Sequence, residues 1–232
     1  MTLKHKGAEL LKADIAIAIK AVKKGEAVIF IIDGYLGSGK TSTASVIATE
    51  IQPSFEPKKQ IGRGAEQFQK AWEYTESIKA GRGVKVCIFD EAQDVDKASH
   101  ASKRNRAVRM FLDTFRDAKT ILILCLPHFS RLENSIYTTG AVRALFHIDE
   151  QHKTFLSGRA FEPDNIDKML DFLHRNRNDP NQSKKKVYKD NWRNYYFTIL
   201  KTETKRQTMI DRASNRGKKR LRSKALRVAA SN

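Results

Sequence analysis

A glycine-rich motif at residues 34–41 constrains this chain more than any other segment. It reads Gly-Tyr-Leu-Gly-Ser-Gly-Lys-Thr and matches G-x-x-x-x-G-K-[ST] at every fixed position. The apolar run Ala27 to Ile32 precedes it and predicts a strand that is buried on both faces. The residues Thr41 to Ile51 predict a helix, which Pro53 ends. A strand, a glycine loop and a helix in this order predict an α/β fold in which backbone N–H groups surround phosphate groups.

The chemistry of this phosphate loop, residues 34–41, indicates ATP with Mg²⁺ as its cofactors. Its glycines allow the backbone to approach phosphates closely, because a Cβ atom would block the approach. Lys40 offers its ammonium group to the β- and γ-phosphates, and the hydroxyl of Thr41 is placed to bind Mg²⁺. The predicted nucleotide-binding residues are Gly34, Tyr35, Leu36, Gly37, Ser38, Gly39, Lys40, Thr41 and Ser42.

A second motif follows further along the chain. The apolar strand Val84 to Phe89 leads into Asp90 and Glu91 and resembles the Walker B element of P-loop NTPases. That resemblance implies that Asp90 binds Mg²⁺ through its hydration shell and that Glu91 polarises the attacking water. It favours hydrolysis of ATP, with Lys40 and Glu91 as catalytic residues.

The remaining periodicity places both motifs in a mainly parallel sheet flanked by helices. Apolar residues interleaved with lysines predict an amphipathic helix over Ala8 to Lys24, and Thr120 to Leu126 predicts a third buried strand. Strands that alternate with helices form parallel sheets, so the fold class is α/β. The sequence further predicts helices over 65–79 and 108–116 and an edge hairpin formed by 144–148 and 153–156.

The charge is concentrated near the end of the sequence. The chain has 44 lysines and arginines against 26 acidic residues, and this net charge of +18 makes a polyanion the first partner to consider. Residues 184–232 hold 16 basic and three acidic residues, so +13 of the charge lies there. Basic residues with interleaved aromatic residues suit contacts to a nucleic-acid backbone. The predicted nucleic-acid-binding residues are Lys184, Lys185, Lys186, Arg216, Lys218, Lys219, Arg220 and Arg222.

These patterns divide the chain into three predicted regions. Residues 1–25 form an N-terminal amphipathic helix, and residues 26–175 form a P-loop ATPase core. Residues 176–232 form a basic, partly disordered nucleic-acid-binding extension, in which Val187 to Leu200 carries enough apolar surface for one docked helix.

The cysteines and the length of the apolar stretches indicate in which cellular compartment the protein is expected. Cys87 and Cys125 lie in apolar runs and are expected to be core residues on neighbouring strands. The longest apolar stretches are about a third of the roughly 20 residues that a membrane helix needs, and we expect no transmembrane segment and no secretory signal. A cytoplasmic, intracellular protein is therefore expected, in the host cytoplasm if the source is viral.

The order of phosphate loop, acidic strand, basic helix and apolar strand ending at Pro127 resembles the FtsK/HerA branch of additional-strand ATPases. Within that branch it is similar to the zonular-occludens-toxin-like and viral DNA-packaging ATPases of mobile elements. The resemblance covers residues 26–160 and implies a RecA-like core that assembles as a homo-oligomer, with a hexameric ring favoured. It also implies that ATP hydrolysis moves double-stranded DNA or extrudes phage and plasmid DNA.

Two further roles follow from this resemblance. Many relatives place a glutamine at the end of the third strand as a sensor of the γ-phosphate, and here His128 or Ser130 must substitute for it. A ring ATPase also needs an arginine donated across the subunit interface. Among the candidates Arg104, Arg106, Arg109 and Arg116, the last is the first choice because it follows an apolar helical face and precedes the third strand.

The predicted function is an ATP-hydrolysing nucleic-acid motor that translocates, packages or mobilises viral or plasmid DNA without sequence preference. Two alternatives remain open. One is an ATP-dependent DNA-binding switch in replication or partition, and the other is a membrane-associated secretion or assembly ATPase whose basic extension meets lipid phosphates. Kinase chemistry is a weaker fourth interpretation.

Overall fold

The described residues form one mainly parallel sheet with helices on both faces. The computed structural model describes residues 6–79, 83–90, 119–132, 136–137, 139–151, 155–176, 187–188, 193 and 195–200. Its helices are α1 (Lys6–Lys23), α2 (Lys40–Ile51), α3 (Pro57–Gln60), α4 (Gly64–Ser77) and α5 (Pro163–Arg175). Its strands are β1 (Val28–Gly34), β2 (Ile61–Arg63), β3 (Lys85–Asp90), β4 (Thr120–Leu126), β5 (Val142–Gln151), β6 (Phe155–Phe161) and β7 (Tyr195–Leu200).

The strand order within these residues is β2-β3-β4-β1-β5-β6-β7. The first five strands in this order are parallel to one another, whereas β6 is antiparallel to both β5 and β7. The strand β4 lies between β1, which leads into the phosphate loop, and β3, which ends in the acidic motif. Because the carboxyl ends of parallel strands share one edge of the sheet, both motifs meet at that edge.

Hydrophobic side chains cover both faces of the sheet. Every residue of β1 and β4 is buried, which is typical of central strands with helices on both sides. Along β1, Phe30 packs in the cluster that contains residues of α1 and α2, and Ile31 packs in the cluster that contains residues of α4 and α5. Cys87 on β3 and Cys125 on β4 are buried with free thiols, so the prediction of core cysteines on neighbouring strands is confirmed.

The predicted α/β fold is confirmed where the apolar pattern is strongest. Strand β4 has the predicted bounds, and α1, β1, α2, α4 and β3 agree with their predicted segments to within two residues at each end. In α1 the buried residues Leu11, Ile15 and Val22 recur at helical spacing. The predicted helix over 108–116 lies outside the described residues. The elements α3, β2 and α5 have no counterpart among the predicted ones.

Two predictions near the end of the core are wrong. The predicted hairpin exists as β5 and β6, but it does not lie at the sheet edge, because β5 pairs with β1 and β6 pairs with β7. The predicted docked helix within Val187 to Leu200 is the strand β7. Phe197 and Ile199 are buried, whereas Tyr196, which directly precedes Phe197, is exposed, so the side chains follow the alternation of a strand.

The extension predicted to begin at residue 176 therefore contains a strand of the core sheet. Tyr188 is also buried, in the cluster with Phe129 and Phe161. All of the predicted nucleic-acid-binding residues of the extension lie outside the described residues. In the described part of the chain, no helix combines the length and apolar character that crossing a membrane requires.

Candidate functional site

The phosphate loop connects the end of β1 to the first turn of α2, as its sequence predicts. Gly34 ends β1, and a Cβ atom there would lie 2.8 Å from Ser38 Oγ and 3.0 Å from the carbonyl oxygen of Ile148. Gly39 caps α2 with a φ of 93°, and a Cβ atom there would lie 2.6 Å from a side-chain carbon of Leu156. Both positions favour glycine because their φ values, 146° at Gly34 and 93° at Gly39, are ones that other residues rarely adopt, and at Gly34 the backbone of β5 also leaves no room for a Cβ atom.

The side chains of the loop divide between solvent and interior. Tyr35, Leu36 and Gly37 are exposed at its tip, and Ser42 follows in the first turn of α2. Ser38 Oγ is buried and has no hydrogen-bond partner among the described residues. A buried hydroxyl without a partner is costly, so a ligand oxygen that hydrogen-bonds to Ser38 would remove that cost.

Lys40 extends back over the loop that precedes it. Its Nζ atom donates to the carbonyl oxygens of Gly34 and Tyr35, each at 2.8 Å. These contacts hold the ammonium group beside the loop, whose backbone would surround the phosphates. The lysine is thus positioned to exchange two neutral carbonyl oxygens for phosphate oxygens, which carry more negative charge and bind an ammonium more strongly.

A hydrogen bond joins the two motifs across the sheet. Thr41 Oγ1 donates to Asp90 Oδ1 at 2.9 Å, although 49 positions separate the two residues in sequence. The bond crosses the carboxyl end of β4, which lies between the strands that carry the two motifs. A hydroxyl and a carboxylate oxygen in contact at the first turn of a helix are suitable ligands for Mg²⁺.

Arg63 is a site residue that the sequence analysis missed. It ends β2 in register with Asp90. Its Nε and Nη2 atoms lie 2.6 and 2.5 Å from Asp90 Oδ2, and both side chains are almost fully buried. Asp90 therefore has one oxygen on Thr41 and the other on a buried guanidinium. No motif signals this arginine, because β2 has only three residues and its partner lies on another strand.

Asp33, directly before the phosphate loop, is the second group that the sequence analysis missed. Its Oδ1 atom lies 2.8 Å from His147 Nδ1 on β5, and its Oδ2 atom accepts a hydrogen bond of 2.8 Å from the backbone N–H of Phe129. Tyr188 donates its hydroxyl to the same Oδ2. The fully buried Asp33 carboxylate thus joins β1, β5, the turn after β4 and the segment at residue 188.

This network shifts the pKa values of its members. Burial alone would raise the pKa of Asp33, but the charge and hydrogen bond of His147, the charge of His128 and the hydrogen bond from Tyr188 together outweigh burial, and the pKa lies below its usual value of 3.8. Burial raises the pKa of the Tyr188 phenol well above its usual value, and the Asp33 charge adds to that effect. Asp33 is therefore an anion that accepts hydrogen bonds at neutral pH.

His128 lies at the predicted place, after β4, and its described contacts are with its own turn and with Tyr188. Its Nδ1 atom is 2.7 Å from Ser130 Oγ and accepts a hydrogen bond of 3.2 Å from the backbone N–H of Ser130. Its ring centroid lies 5.4 Å from that of Tyr188, and its charge helps to lower the pKa of Asp33. A sensor role for His128 or Ser130 stays a prediction.

The remaining predicted catalytic residues lie outside the described residues. Glu91 follows Asp90 directly in sequence, and the candidate interface arginines are Arg104, Arg106, Arg109 and Arg116. The structure thus brings together Lys40, Thr41 and Asp90 from the predicted set and adds Arg63 to them.

The residues that are present fit a nucleotide with Mg²⁺. The glycine cradle that a Cβ atom would fill, the buried hydroxyl of Ser38 and the ammonium of Lys40 suit phosphate oxygens. Thr41 and Asp90 supply the oxygen ligands that Mg²⁺ prefers. The arrangement can bind a polyphosphate and hold a divalent cation against it.

Comparison with known proteins gives distant structural likenesses. No family model and no curated protein matches the chain. It is similar to the N-terminal domain of zonular occludens toxin from Neisseria meningitidis, with 20% identity, a TM-score of 0.39 and coverage of 78% of this chain and 96% of that chain. It is also similar to the replication initiator DnaA bound to AMPPCP and single-stranded DNA, with 14% identity, a TM-score of 0.40 and coverage of 81% and 63%.

A third solved structure is domain III of DnaA from Thermotoga maritima, with 14% identity, a TM-score of 0.34 and coverage of 75% of this chain and 72% of that chain. All three identities are 20% or lower.

Proposed function

We propose that this protein is a Mg²⁺-dependent ATPase whose hydrolysis cycle drives the movement of DNA. The observation that carries the ATPase part is the hydrogen bond from Thr41 to Asp90 beside the phosphate loop, with Lys40 folded over that loop. A chance glycine turn before a lysine would not bring an acidic strand end from elsewhere in the sheet to the adjacent hydroxyl.

Each residue has a defined part in the proposed reaction. Lys40 moves from the carbonyl oxygens of the loop to the β- and γ-phosphates and neutralises charge as the terminal phosphate leaves. Thr41 and Asp90 hold Mg²⁺, which when bound neutralises and orients the phosphates. Glu91 orients the attacking water and accepts its proton. The role of Arg116, donated to a neighbouring copy in a ring of six, belongs to the same proposal.

The DNA part of the proposal rests on charge and strand order. The 44 basic residues exceed the acidic residues by 18, and most of this excess follows residue 183. The strand β4, which lies between β1 and β3, supports the resemblance to additional-strand ATPases. Together these features favour a motor for double-stranded DNA, such as one that packages or mobilises the DNA of a virus or plasmid.

Substitution of Lys40 tests the ATPase proposal. We expect Lys40→Ala to lower DNA-stimulated ATP hydrolysis by at least a hundredfold, because the charge on the leaving phosphate loses its main neutralising group. The matched control is Lys168→Ala, which removes an exposed lysine of α5 and should retain the full rate. Release of inorganic phosphate is the measurement, and equal rates in both variants would exclude the proposed site.

The motor is distinguished from the other functions by what ATP hydrolysis accomplishes. A motor displaces a bound triplex strand from long duplex DNA in an ATP-dependent manner, and it forms a stable oligomer with ATP and DNA. A switch in replication or partition binds and releases DNA without displacing the triplex strand. A secretion or assembly ATPase prefers anionic vesicles to duplex DNA at the same salt concentration.

A further inference from the structure

The buried pair of Arg63 and Asp90 determines the charge of the site before any nucleotide arrives. Two guanidinium nitrogens of Arg63 contact the same oxygen, Asp90 Oδ2, and the two side chains are only 4% and 3% exposed. Asp90 is thus neutralised by a partner that solvent cannot replace. With the Lys40 ammonium beside the loop, Lys40, Arg63 and Asp90 together carry a net charge of +1.

The backbone around Arg63 fixes the guanidinium in place. The preceding Gly62 lies so close to α4 that a Cβ atom there would be 2.2 Å from Phe68 Cα. Gly64, with a φ of 65°, turns the chain directly into that helix. Strand β2 is therefore held between α4 and β3, and Arg63 is held opposite Asp90.

A fixed guanidinium beside the metal ligand affects cations and phosphates in opposite ways. It repels a free divalent cation that approaches Asp90, and it attracts the phosphates that approach the adjacent loop. Burial strengthens both effects, because charges in a low-dielectric interior are screened less than charges at the surface. The site thus disfavours a metal ion alone and favours an anion.

We propose that Arg63 is a specificity-determining residue that keeps the nucleotide-free site selective for phosphate groups over free divalent cations. This inference rests on the proposed function, since it assigns the phosphates to a nucleotide. Mg²⁺ then joins the site together with the phosphates, whose negative charge offsets the guanidinium. Thr41 and Asp90 hold the ion, and Arg63 disfavours its binding until the phosphates are present.

Direct measurement of metal binding to the nucleotide-free chain tests the inference. The probe is Mn²⁺, whose free concentration is read by electron paramagnetic resonance, and the key variant is Arg63→Gln, which retains a donor to Asp90 but removes the charge. We expect Arg63→Gln to bind Mn²⁺ at least tenfold more tightly than the wild type, which corresponds to about 1.4 kcal/mol. The gain should disappear in the double variant Arg63→Gln/Asp90→Asn, because the site then lacks its carboxylate.

Two matched variants separate charge from shape. Arg63→Lys retains the positive charge and should stay within threefold of the wild-type Mn²⁺ affinity. Arg143→Gln removes an arginine at the start of β5 that pairs with Glu26, at the end of the strands opposite to the phosphate loop, and it should also stay within threefold. An Mn²⁺ affinity of Arg63→Gln within threefold of both controls overturns the inference.

Nucleotide binding gives an independent readout that also covers a failure to fold. In EDTA, Arg63→Gln should bind a fluorescent ADP analogue at least threefold more weakly than the wild type, and Asp90→Asn should bind it at least threefold more tightly. If Arg63→Gln does not unfold in a cooperative thermal transition, Asp90→Asn becomes the test variant. An affinity of Asp90→Asn for the ADP analogue equal to that of the wild type then overturns the inference. If the wild type binds no nucleotide with Mg²⁺ present, the proposed function fails instead.

Discussion

At the scale of single residues, the surroundings of Asp33 make the stability of the fold depend on pH. Its carboxylate has contacts with His147, Phe129 and Tyr188, which belong to three different parts of the chain. Its pKa in the folded protein lies below the ordinary value of 3.8. Its contribution to stability is therefore complete above the pKa of the unfolded chain and is lost as the pH falls through the lower pKa of the folded state.

Replacement of Asp33 tests this network. We expect Asp33→Asn to lower the free energy of unfolding at pH 7 by about 3 kcal/mol, because it removes the charge that His147 and the buried donors face. The loss of stability between pH 5 and pH 2 should also be smaller than in the wild type. Denaturant titrations at several pH values measure both effects.

The control for this experiment is Asp164→Asn, which changes an exposed carboxylate on α5. It should leave stability at pH 7 within about 0.5 kcal/mol of the wild type. Equal effects of the two substitutions would show that the Asp33 contacts do not stabilise the fold.

The sequence predicts the residues of a local motif well and predicts their distant partners poorly. Lys40 and Thr41 are identifiable because the phosphate loop needs those residue types at fixed spacing, and Asp90 because it ends an apolar strand. Arg63 has a partner 27 positions away, and the partner Tyr188 lies 155 positions from Asp33. No periodicity relates such positions, because the sheet order alone brings them together.

At the scale of elements, the contact between β2 and α4 determines where Arg63 lies. Gly62→Ala should destabilise the protein by about 3 kcal/mol, since the new Cβ atom would meet backbone atoms of Phe68 that cannot move aside as a flexible side chain would. The resulting displacement of β2 should also weaken binding of Mg²⁺-nucleotide, because β2 carries Arg63, the partner of Asp90. Thermal unfolding and nucleotide titration are the measurements.

Gly83→Ala is the matched control for this substitution. A Cβ atom at Gly83 would meet no atom within 4 Å, so stability should change by less than about 0.5 kcal/mol. A Gly62→Ala variant as stable as this control would mean that α4 and β2 can separate without cost.

The elements that the sequence predicts correctly have one dominant period. β1 and β4 are continuous apolar runs, and α1 has a clear helical stripe, so each pattern fits one structure. The stretch Tyr195–Leu200 is mostly apolar without a clear period of either two or 3.6 residues, so it fits a helix as well as a strand. Pairing with β6 decides in favour of the strand, and β6 is available only because β5 and β6 form a hairpin beside β1.

At the scale of the whole molecule, the core includes residues that follow position 176. Tyr195 on β7 donates its hydroxyl to Asp14 on α1, so the last described strand is tied to the first helix. Residues 201–232 still contain 11 basic and two acidic residues, a net charge of +9. Truncation after Leu200 therefore separates the core from half of the net charge of +18.

Two truncations test this division. A chain of residues 1–200 should fold and hydrolyse ATP at the basal rate, while its DNA affinity and the salt dependence of that affinity decrease, because phosphate contacts are lost. A chain of residues 1–183 should unfold roughly 10 °C lower or more, since it loses β7 and the buried side chains of Phe197 and Ile199. Unchanged DNA affinity and salt slope in the first truncation would assign the charged segment another role.

The direction of β7 has a consequence for the segment that follows it. β7 is antiparallel to β6 and thus runs in the same direction as β1. Through the pairings across β5 and β6, Gly34 is level with Phe197 on β7, and the end of β7, Leu200, lies three residues further along. Leu200 is therefore about 10 Å beyond Gly34 along the strand direction and about 14 Å from it across the sheet, which is three strand spacings. Residues 201–232 are thus tethered to the rim that carries the phosphate loop. Any polyanion that this tether holds meets the nucleotide site at an effective concentration set by the tether's length, and not by the polyanion's concentration in solution.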